Sequence, residues 1–193
     1  MGPGDLAARM TSSIAQTCPR GAIIFVSSCA SVTDCFNPST YKHAAIYVGA
    51  IDAPRLLLRA TGGATYTDAA ESYAAGVPCV IDASAPHGAR VTPLPDLLRN
   101  CAVVKAYRLA VPGAGALMNL AADAAFELVG TPYGFNRGRT YCFKLVADCF
   151  ASVGIPTRTR RIMGREVVLS QDFLDNGLWT KILDSEECGG DGT

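Results

Sequence analysis

The segment KHAAIYVG, residues 42–49, carries a histidine and a tyrosine among small and branched apolar residues. Branched and aromatic side chains favour strands, so the pattern predicts a β-strand at 43–51. A strand points every second side chain to the same side, which places His43, Ala45 and Tyr47 on one face. The chain has only two histidines, so His43 and His87 are the candidates for a histidine general base.

Further elements are predicted on both sides of this segment. Short apolar runs between turn residues predict strands at 21–26, 79–83 and 102–109, and a strand at 167–169. Residues 56–58 are predicted either as a further strand or as the start of an inserted segment, and residues 67–75 as a short helix. Three- and four-residue spacing of apolar positions predicts helices at 5–17, 114–129 and 142–153, with helical turns at 96–100 and 171–174.

Cys142 opens the last long helix, on the face that carries its apolar stripe. The free N–H groups and positive dipole end of a first helical turn stabilise a thiolate. An imidazole can pair with that thiolate and later protonate a leaving group, provided that a third group fixes its tautomer. His43 and Asp82 can fill these two roles if their strands are neighbours. The three residues together predict a Cys-His-Asp catalytic site.

Each of these residues also has a structural explanation. His43 is compatible with a structural histidine at a strand end, and Asp82 with a turn former before residues 83–86. Cys142 is compatible with a core cysteine on a helix face, like Cys149. Each alternative is reasonable for one residue alone, and the combination favours catalysis.

Composition narrows the possible functions. With 193 residues, of which 49% are hydrophobic, the chain is expected to form one domain at 1–184. Residues 52–78 are expected to be an insertion or lid, and the Gly-rich, acidic segment 185–193 a disordered tail. Basic and acidic residues both number 17, so the net charge is zero and nucleic acid is not expected as a partner.

The eight cysteines form no Cys-x-x-Cys pair, and no histidine stands at a metal-ligand spacing from them. A disulfide scaffold, a metal site and a cofactor are therefore not expected. No apolar run approaches the ~18 residues of a membrane span, and residues 1–17 lack the basic-then-apolar layout of a signal peptide. These features predict a cytoplasmic protein that is neither secreted nor membrane-spanning.

Two further features lie outside the predicted triad. His87 stands between Pro86 and Gly88, and is expected to be exposed in a loop and dispensable. Four arginines follow the last long helix: Arg158, Arg160, Arg161 and Arg165. They are expected either to hold a phosphate or lipid headgroup or to form a solvated surface loop.

Four segments within residues 20–175 resemble the motifs of one family. GAIIF at 21–25 is similar to its opening Gly-acid-apolar strand, with Ala22 in place of the acid, and 42–49 is similar to its histidine strand. VIDA at 80–83 resembles the segment of the third catalytic residue, with Asp82 where Glu is commoner. GTPYGF at 130–135, followed by YCFKLV at 141–146, resembles the nucleophile motif. Histidine precedes cysteine, the reverse of papain, so the chain resembles the circularly permuted branch of the NlpC-type papain-like cysteine hydrolases.

The resemblance implies an α+β fold in which the nucleophile-bearing helix packs against an antiparallel sheet or half-barrel. It implies a thiol hydrolase or acyltransferase that acts on an amide or ester bond of a peptide or lipid, with peripheral membrane or lipid contact. It also implies that Tyr133 and Tyr141 lie at the oxyanion hole or substrate pocket. Poxvirus-encoded members fit at least as well as bacterial envelope ones, which implies the host cytoplasm or the virion. A catalytically idle virion component with this fold is the alternative.

Overall fold

The computed structural model describes residues 3–28, 38–51 and 76–187. Its helices are α1 (Pro3–Thr17), α2 (Leu94–Leu98), α3 (Ala114–Glu127), α4 (Cys142–Ala151) and α5 (Ser170–Leu174). Its strands are β1 (Ile23–Ser28), β2 (His43–Ala50), β3 (Pro78–Ser84), β4 (Gly88–Pro93), β5 (Cys101–Leu109), β6 (Arg160–Ile162), β7 (Arg165–Val167) and β8 (Trp179–Asp184). The predicted strand at 56–58 and helix at 67–75, and with them most of the predicted insertion at 52–78, lie outside the described residues.

Six strands form one antiparallel sheet in the order β4-β3-β2-β1-β5-β8. Strand β2 lies between β1 and β3, so the two strands predicted to carry His43 and Asp82 are neighbours. Ala45 is the residue opposite Asp82. His43 lies two residues before Ala45 and therefore on the same face, which brings its side chain and that of Asp82 together.

The inner strands are covered on both faces. Consecutive residues of β1, β2 and β3 are buried. In a strand with one solvent-exposed face, buried and exposed residues would alternate instead. Helix α4 packs against β2 and β3, and α3 packs against α4. The buried stripe of α4 is made of Leu145, Val146, Cys149 and Phe150, at the spacing that predicted the helix. This packing fixes the N-terminus of α4 against the strand that carries His43.

Strands β6 and β7 form a separate hairpin that was not predicted, since the strand expected at 167–169 shares only residue 167 with β7. Its turn is Met163-Gly164, with φ of 50° and 78°. Two successive residues with positive φ are typical of the two-residue turn that joins the strands of a β-hairpin. Arg160 Nε donates to Asp172 Oδ1 at 2.5 Å, and the Asp172 side chain is fully buried. This ion pair holds the hairpin against α5.

The sequence prediction missed strands β4 and β8, which form the two edges of the sheet. No element was predicted at residues 88–93, yet they pair with β3 along their whole length. The described structure also extends three residues into the predicted disordered tail. Ser185 is buried, and its hydroxyl accepts a hydrogen bond from Val104 N–H; residues 188–193 lie outside the described part. Across the described helices, none is both long and apolar enough to cross a membrane.

Candidate active site

His43 begins β2, and its side chain is bonded to Asp82. Its Nε2 lies 2.9 Å from Asp82 Oδ2, with side-chain exposures of 24% and 4%. Because the buried carboxylate has no proton to give, Nε2–H donates, and Nδ1 is the ring nitrogen left for another partner. The predicted contact between His43 and Asp82 is therefore present in the structure.

Asp82 lies in the interior of β3, so its alternative explanation as a turn former is wrong. The turn falls later, where His87 N–H donates to the Ser84 carbonyl oxygen. The second carboxylate oxygen of Asp82 accepts a hydrogen bond from the Thr92 hydroxyl at 2.5 Å, and Arg90 Nε lies 3.9 Å away. Burial opposes ionisation, but the bonds from His43 and Thr92 and the nearby cationic charge hold the pKa of Asp82 below its usual value.

Cys142 is the first residue of α4 and is almost fully buried. The residue before it, Tyr141, has the extended conformation of an N-cap, with φ −136° and ψ 168°, and caps no N–H with its side chain. The unpaired N–H groups of the first turn therefore lie next to the Cys142 sulfur, where they favour a negative charge.

The ring of His43 interacts with both Asp82 and Cys142. Burial lowers the pKa of His43, but the charge of Cys142 and hydrogen bonds to Asp82 and Cys142 outweigh it and raise the pKa to about 10. A histidine with a raised pKa stabilises the fold when protonated. That contribution is fully present below the ordinary value of 6.5 and is lost as pH rises through about 10. The arrangement can thus hold an imidazolium between a carboxylate and a thiolate.

The two predicted tyrosines are placed differently. The Tyr141 hydroxyl accepts a hydrogen bond from Val168 N–H at 2.7 Å, which ties the start of α4 to the segment before α5. Its ring packs against Phe135, 4.6 Å away. Tyr133 is close enough to Cys142 for the charge of the sulfur, after burial, to help raise the pKa of the Tyr133 hydroxyl.

Cys142 and His43 line a pocket of about 730 Å³, and Tyr133 and Tyr141 line it too. Most of the remaining wall is apolar and comes from Phe135, from residues 167–169 and from the β6–β7 hairpin. His87 is exposed, as predicted, and does not line the pocket. Sequence reasoning missed two features here, the contact of Thr92 with Asp82 and the hairpin wall.

Four other described cysteines, Cys18, Cys79, Cys101 and Cys149, are buried. Burial raises the pKa of the thiols of Cys18 and Cys79 to about 11 and that of Cys149 to about 12. Cys142, which interacts with His43, therefore differs from these three thiols, whose raised pKa values disfavour the thiolate.

Comparisons with known proteins agree with this architecture. A family model described as "Permuted papain-like amidase enzyme, YaeF/YiiX, C92 family" matches residues 17–183. Protein OPG091 of vaccinia virus (strain Copenhagen) and that of monkeypox virus are each 37% identical to this chain over 167 residues, which is 86% of either partner.

A crystal structure of the metalloprotein yiiX from Escherichia coli O157:H7 superposes with a TM-score of 0.61 at 18% identity. The match covers 86% of this chain and 96% of that one, and at this identity it supports the fold alone. Among the residues described for the present chain, no cluster of three or more His, Cys, Asp or Glu could hold a metal ion.

The fold expected from the sequence motifs is confirmed: the protein is α+β, with the permuted papain-like arrangement of an antiparallel sheet and a packed helix. Its poxvirus relatives confirm the predicted resemblance to virus-encoded members. The chain belongs to the permuted papain-like amidase family, the YaeF/YiiX or C92 family.

Proposed function

We propose that the protein is a cysteine hydrolase that cleaves an amide or ester bond, with Cys142 as nucleophile, His43 as proton carrier and Asp82 as the residue that orients the ring. The observation that carries the proposal is the chain of contacts from Thr92 through Asp82 to His43, which ends at the Cys142 thiol in a pocket. Membership of an amidase family agrees with it.

In the first step, the Cys142 thiolate adds to the carbonyl carbon of the substrate and pushes an electron pair onto the carbonyl oxygen. When the pair returns, the bond to the leaving amine or alcohol breaks, and the His43 imidazolium gives its proton to that group. A thioester remains. His43, now neutral, takes a proton from water as the hydroxide adds to the thioester, and Cys142 leaves as a thiolate with the acid released.

Each addition to the carbonyl carbon gives a tetrahedral intermediate with a negatively charged oxygen, which hydrogen-bond donors must stabilise. The backbone N–H of Cys142 lies in the first turn of α4 and supplies one of them. Tyr133 is the second donor in this proposal, because its hydroxyl is near Cys142. Tyr141 lines the substrate pocket in this proposal, and its hydroxyl, which is engaged with Val168, holds the wall of the pocket in place.

The apolar pocket suits an acyl chain or an apolar peptide side chain, and we propose a peptide or lipid substrate delivered from solution or from a membrane surface. Transfer of the acyl group to an acceptor other than water would make the protein an acyltransferase by the same first half-reaction. The poxvirus relatives support a viral protein, and we propose that it acts in the host cytoplasm or in the virion.

The proposal predicts that Cys142 is alkylated by iodoacetamide at pH 7 at least about tenfold faster than any other cysteine, because a thiolate and not a thiol reacts. Time-resolved labelling with peptide mass spectrometry measures all eight thiols in one sample. In His43→Ala the rate at Cys142 should fall to that of the other thiols. Uniform slow labelling in the wild-type protein would instead favour a catalytically idle structural protein.

Thr92 is expected to position Asp82. Thr92→Val keeps the shape of the buried side chain but removes the hydroxyl that donates to Asp82 Oδ1. We expect turnover to fall about tenfold, while KM stays within about twofold, since the loss of one hydrogen bond to a charged group is about 1.5 kcal/mol.

Thr92→Ser, which restores the donor, serves as the matched control and should recover most of the rate. Steady-state kinetics beside thermal melting distinguishes this role from a loss of stability. Equal turnover in the valine and serine variants would mean that Thr92 does not act on the site.

A further inference from the structure

The two faces of the β6–β7 hairpin differ in what they contact. Ile162 pairs with Arg165 across the hairpin, and Arg160 pairs with Val167, so these four residues share one face. Ile162, Arg165 and Val167 all line the pocket that contains Cys142. Arg161 and its opposite residue, Glu166, lie on the other face. Of the two arginines on the first face, Arg165 lines the pocket and Arg160 does not, while Arg161 lies on the other face.

The arginines of the hairpin also differ in their partners. Arg160 is bound to Asp172 and, at 3.3 Å, to Asp175, so its charge is neutralised. In the strand pairing Arg161 lies opposite Glu166, without an ion pair between the two described side chains. Within the described ranges, Arg165 makes no ion pair with any carboxylate. A guanidinium is always charged at neutral pH, so Arg165 brings an uncompensated positive charge to the pocket wall.

The described lining of the pocket contains no Asp or Glu that could neutralise Arg165. Asp82 lies behind His43, and the His43 ring interacts with both this carboxylate and the Cys142 sulfur. Lys42 also lines the pocket, but its ammonium group donates to the Ser39 carbonyl oxygen. An apolar cavity with a guanidinium in its wall and no carboxylate in its lining attracts a ligand that combines an apolar arm with a negative group.

We propose that Arg165 is a specificity-determining residue that binds a carboxylate or phosphate group on the substrate, while the apolar wall holds the rest of the acyl group. The inference rests on the proposed hydrolase function, since it names the class of substrate of the same site. The substrate class is an anionic amide or ester with an apolar arm. A guanidinium binds either anion through paired N–H donors, so both share the chemistry that Arg165 recognises.

Three 4-nitrophenyl esters of matched chain length test this: the hexanoate, the mono-ester of adipate and the ester of 5-phosphonopentanoate. The wild-type protein should prefer the anionic esters in kcat/KM. Arg165→Gln should reduce that preference about tenfold, through KM, and leave kcat/KM for the neutral hexanoate unchanged. The anionic ester with the larger loss identifies the group that is bound.

Arg161→Gln is the matched control, because it removes the same charge from the other face of the same hairpin. It should leave the ester preference at the wild-type value. An unchanged preference in Arg165→Gln, or an equal loss in Arg161→Gln, would overturn the inference.

Labelling of Cys142 separates this inference from the proposed function. Iodoacetate carries one negative charge that iodoacetamide lacks. The ratio of their alkylation rates at Cys142 therefore measures the electrostatic potential in the pocket, whether or not any ester is cleaved. The ratio should fall severalfold in Arg165→Gln and stay constant in Arg161→Gln. Slow labelling of Cys142 by both reagents would contradict the hydrolase proposal. Fast labelling with the same rate ratio in the wild-type protein and in Arg165→Gln would contradict only the inference.

Discussion

Replacing Cys142 with serine is expected to lower turnover of esters and amides by at least about 10³-fold, because a hydroxyl does not ionise beside an imidazole as a thiol does. The first step of the proposed mechanism needs a thiolate at the N-terminus of α4, and serine cannot supply one. The substitution is close to isosteric at a nearly buried position, so the melting temperature should change little. Release of 4-nitrophenol beside a thermal melt measures both quantities.

Cys149→Ala provides the control for this substitution. Cys149 lies two turns along the same helix, is buried in the core and is not part of the pocket lining. Its replacement should cost stability, as a small core cavity does, but leave the rate per folded molecule unchanged. If Cys142→Ser kept a tenth or more of the wild-type rate, Cys142 would not be the nucleophile.

Asp82→Asn is expected to keep the fold and to lower turnover by roughly 10²- to 10⁴-fold. The amide of asparagine can donate to His43 Nε2, which leaves the proton on Nδ1, the nitrogen that must accept it from the thiol. Asp82→Ala should also slow turnover and loosen the ring. Steady-state kinetics with circular dichroism on both variants checks the rate and the fold.

The pH profile gives this prediction a second measurement. The raised pKa of His43 places the loss of its acid proton, and so the alkaline limb of activity, near pH 10 in the wild-type protein. The bond to Asp82 and the charge of Asp82 are among the causes that raise this pKa, so the limb should move to lower pH in Asp82→Asn. An unchanged rate and an unmoved limb would remove Asp82 from the site and leave a Cys-His dyad.

The sequence was sufficient for the parts of the site that depend on local pattern. The strand at His43 is predicted by branched and aromatic residues, and the helix at Cys142 by the spacing of its apolar stripe. The order of histidine and cysteine then indicated the family. These signals are strong because both elements are buried, which forces their apolar pattern.

Features that depend on pairing between distant segments were not predictable in this way. The contact of Asp82 with His43 could be predicted only on the condition that β2 and β3 are neighbours in one register, because more than twenty-five residues separate the two strands and no short turn fixes that register. Thr92 reaches Asp82 only through the pairing of β3 with β4.

Other features were missed because their local signals are weak. The hairpin turn uses Met163, where Asn or Asp is usual before glycine. Strand β8 lies at an edge of the sheet with four of its six residues exposed or partly exposed, so its apolar pattern is broken. Arg165 looked like one of several loop arginines, and only the pairing of the hairpin shows that it lies on the pocket side.

The central claim is that Cys142 forms a covalent acyl intermediate, and mass spectrometry of the quenched protein tests it most directly. After acid quenching during turnover of 4-nitrophenyl esters, the wild-type chain should carry one acyl group, located on the peptide that contains Cys142. The adduct should accumulate in a burst, as a thioester does when its hydrolysis is slow. Turnover without an adduct at Cys142, or an adduct on another residue that persists in Cys142→Ala, would contradict the claim.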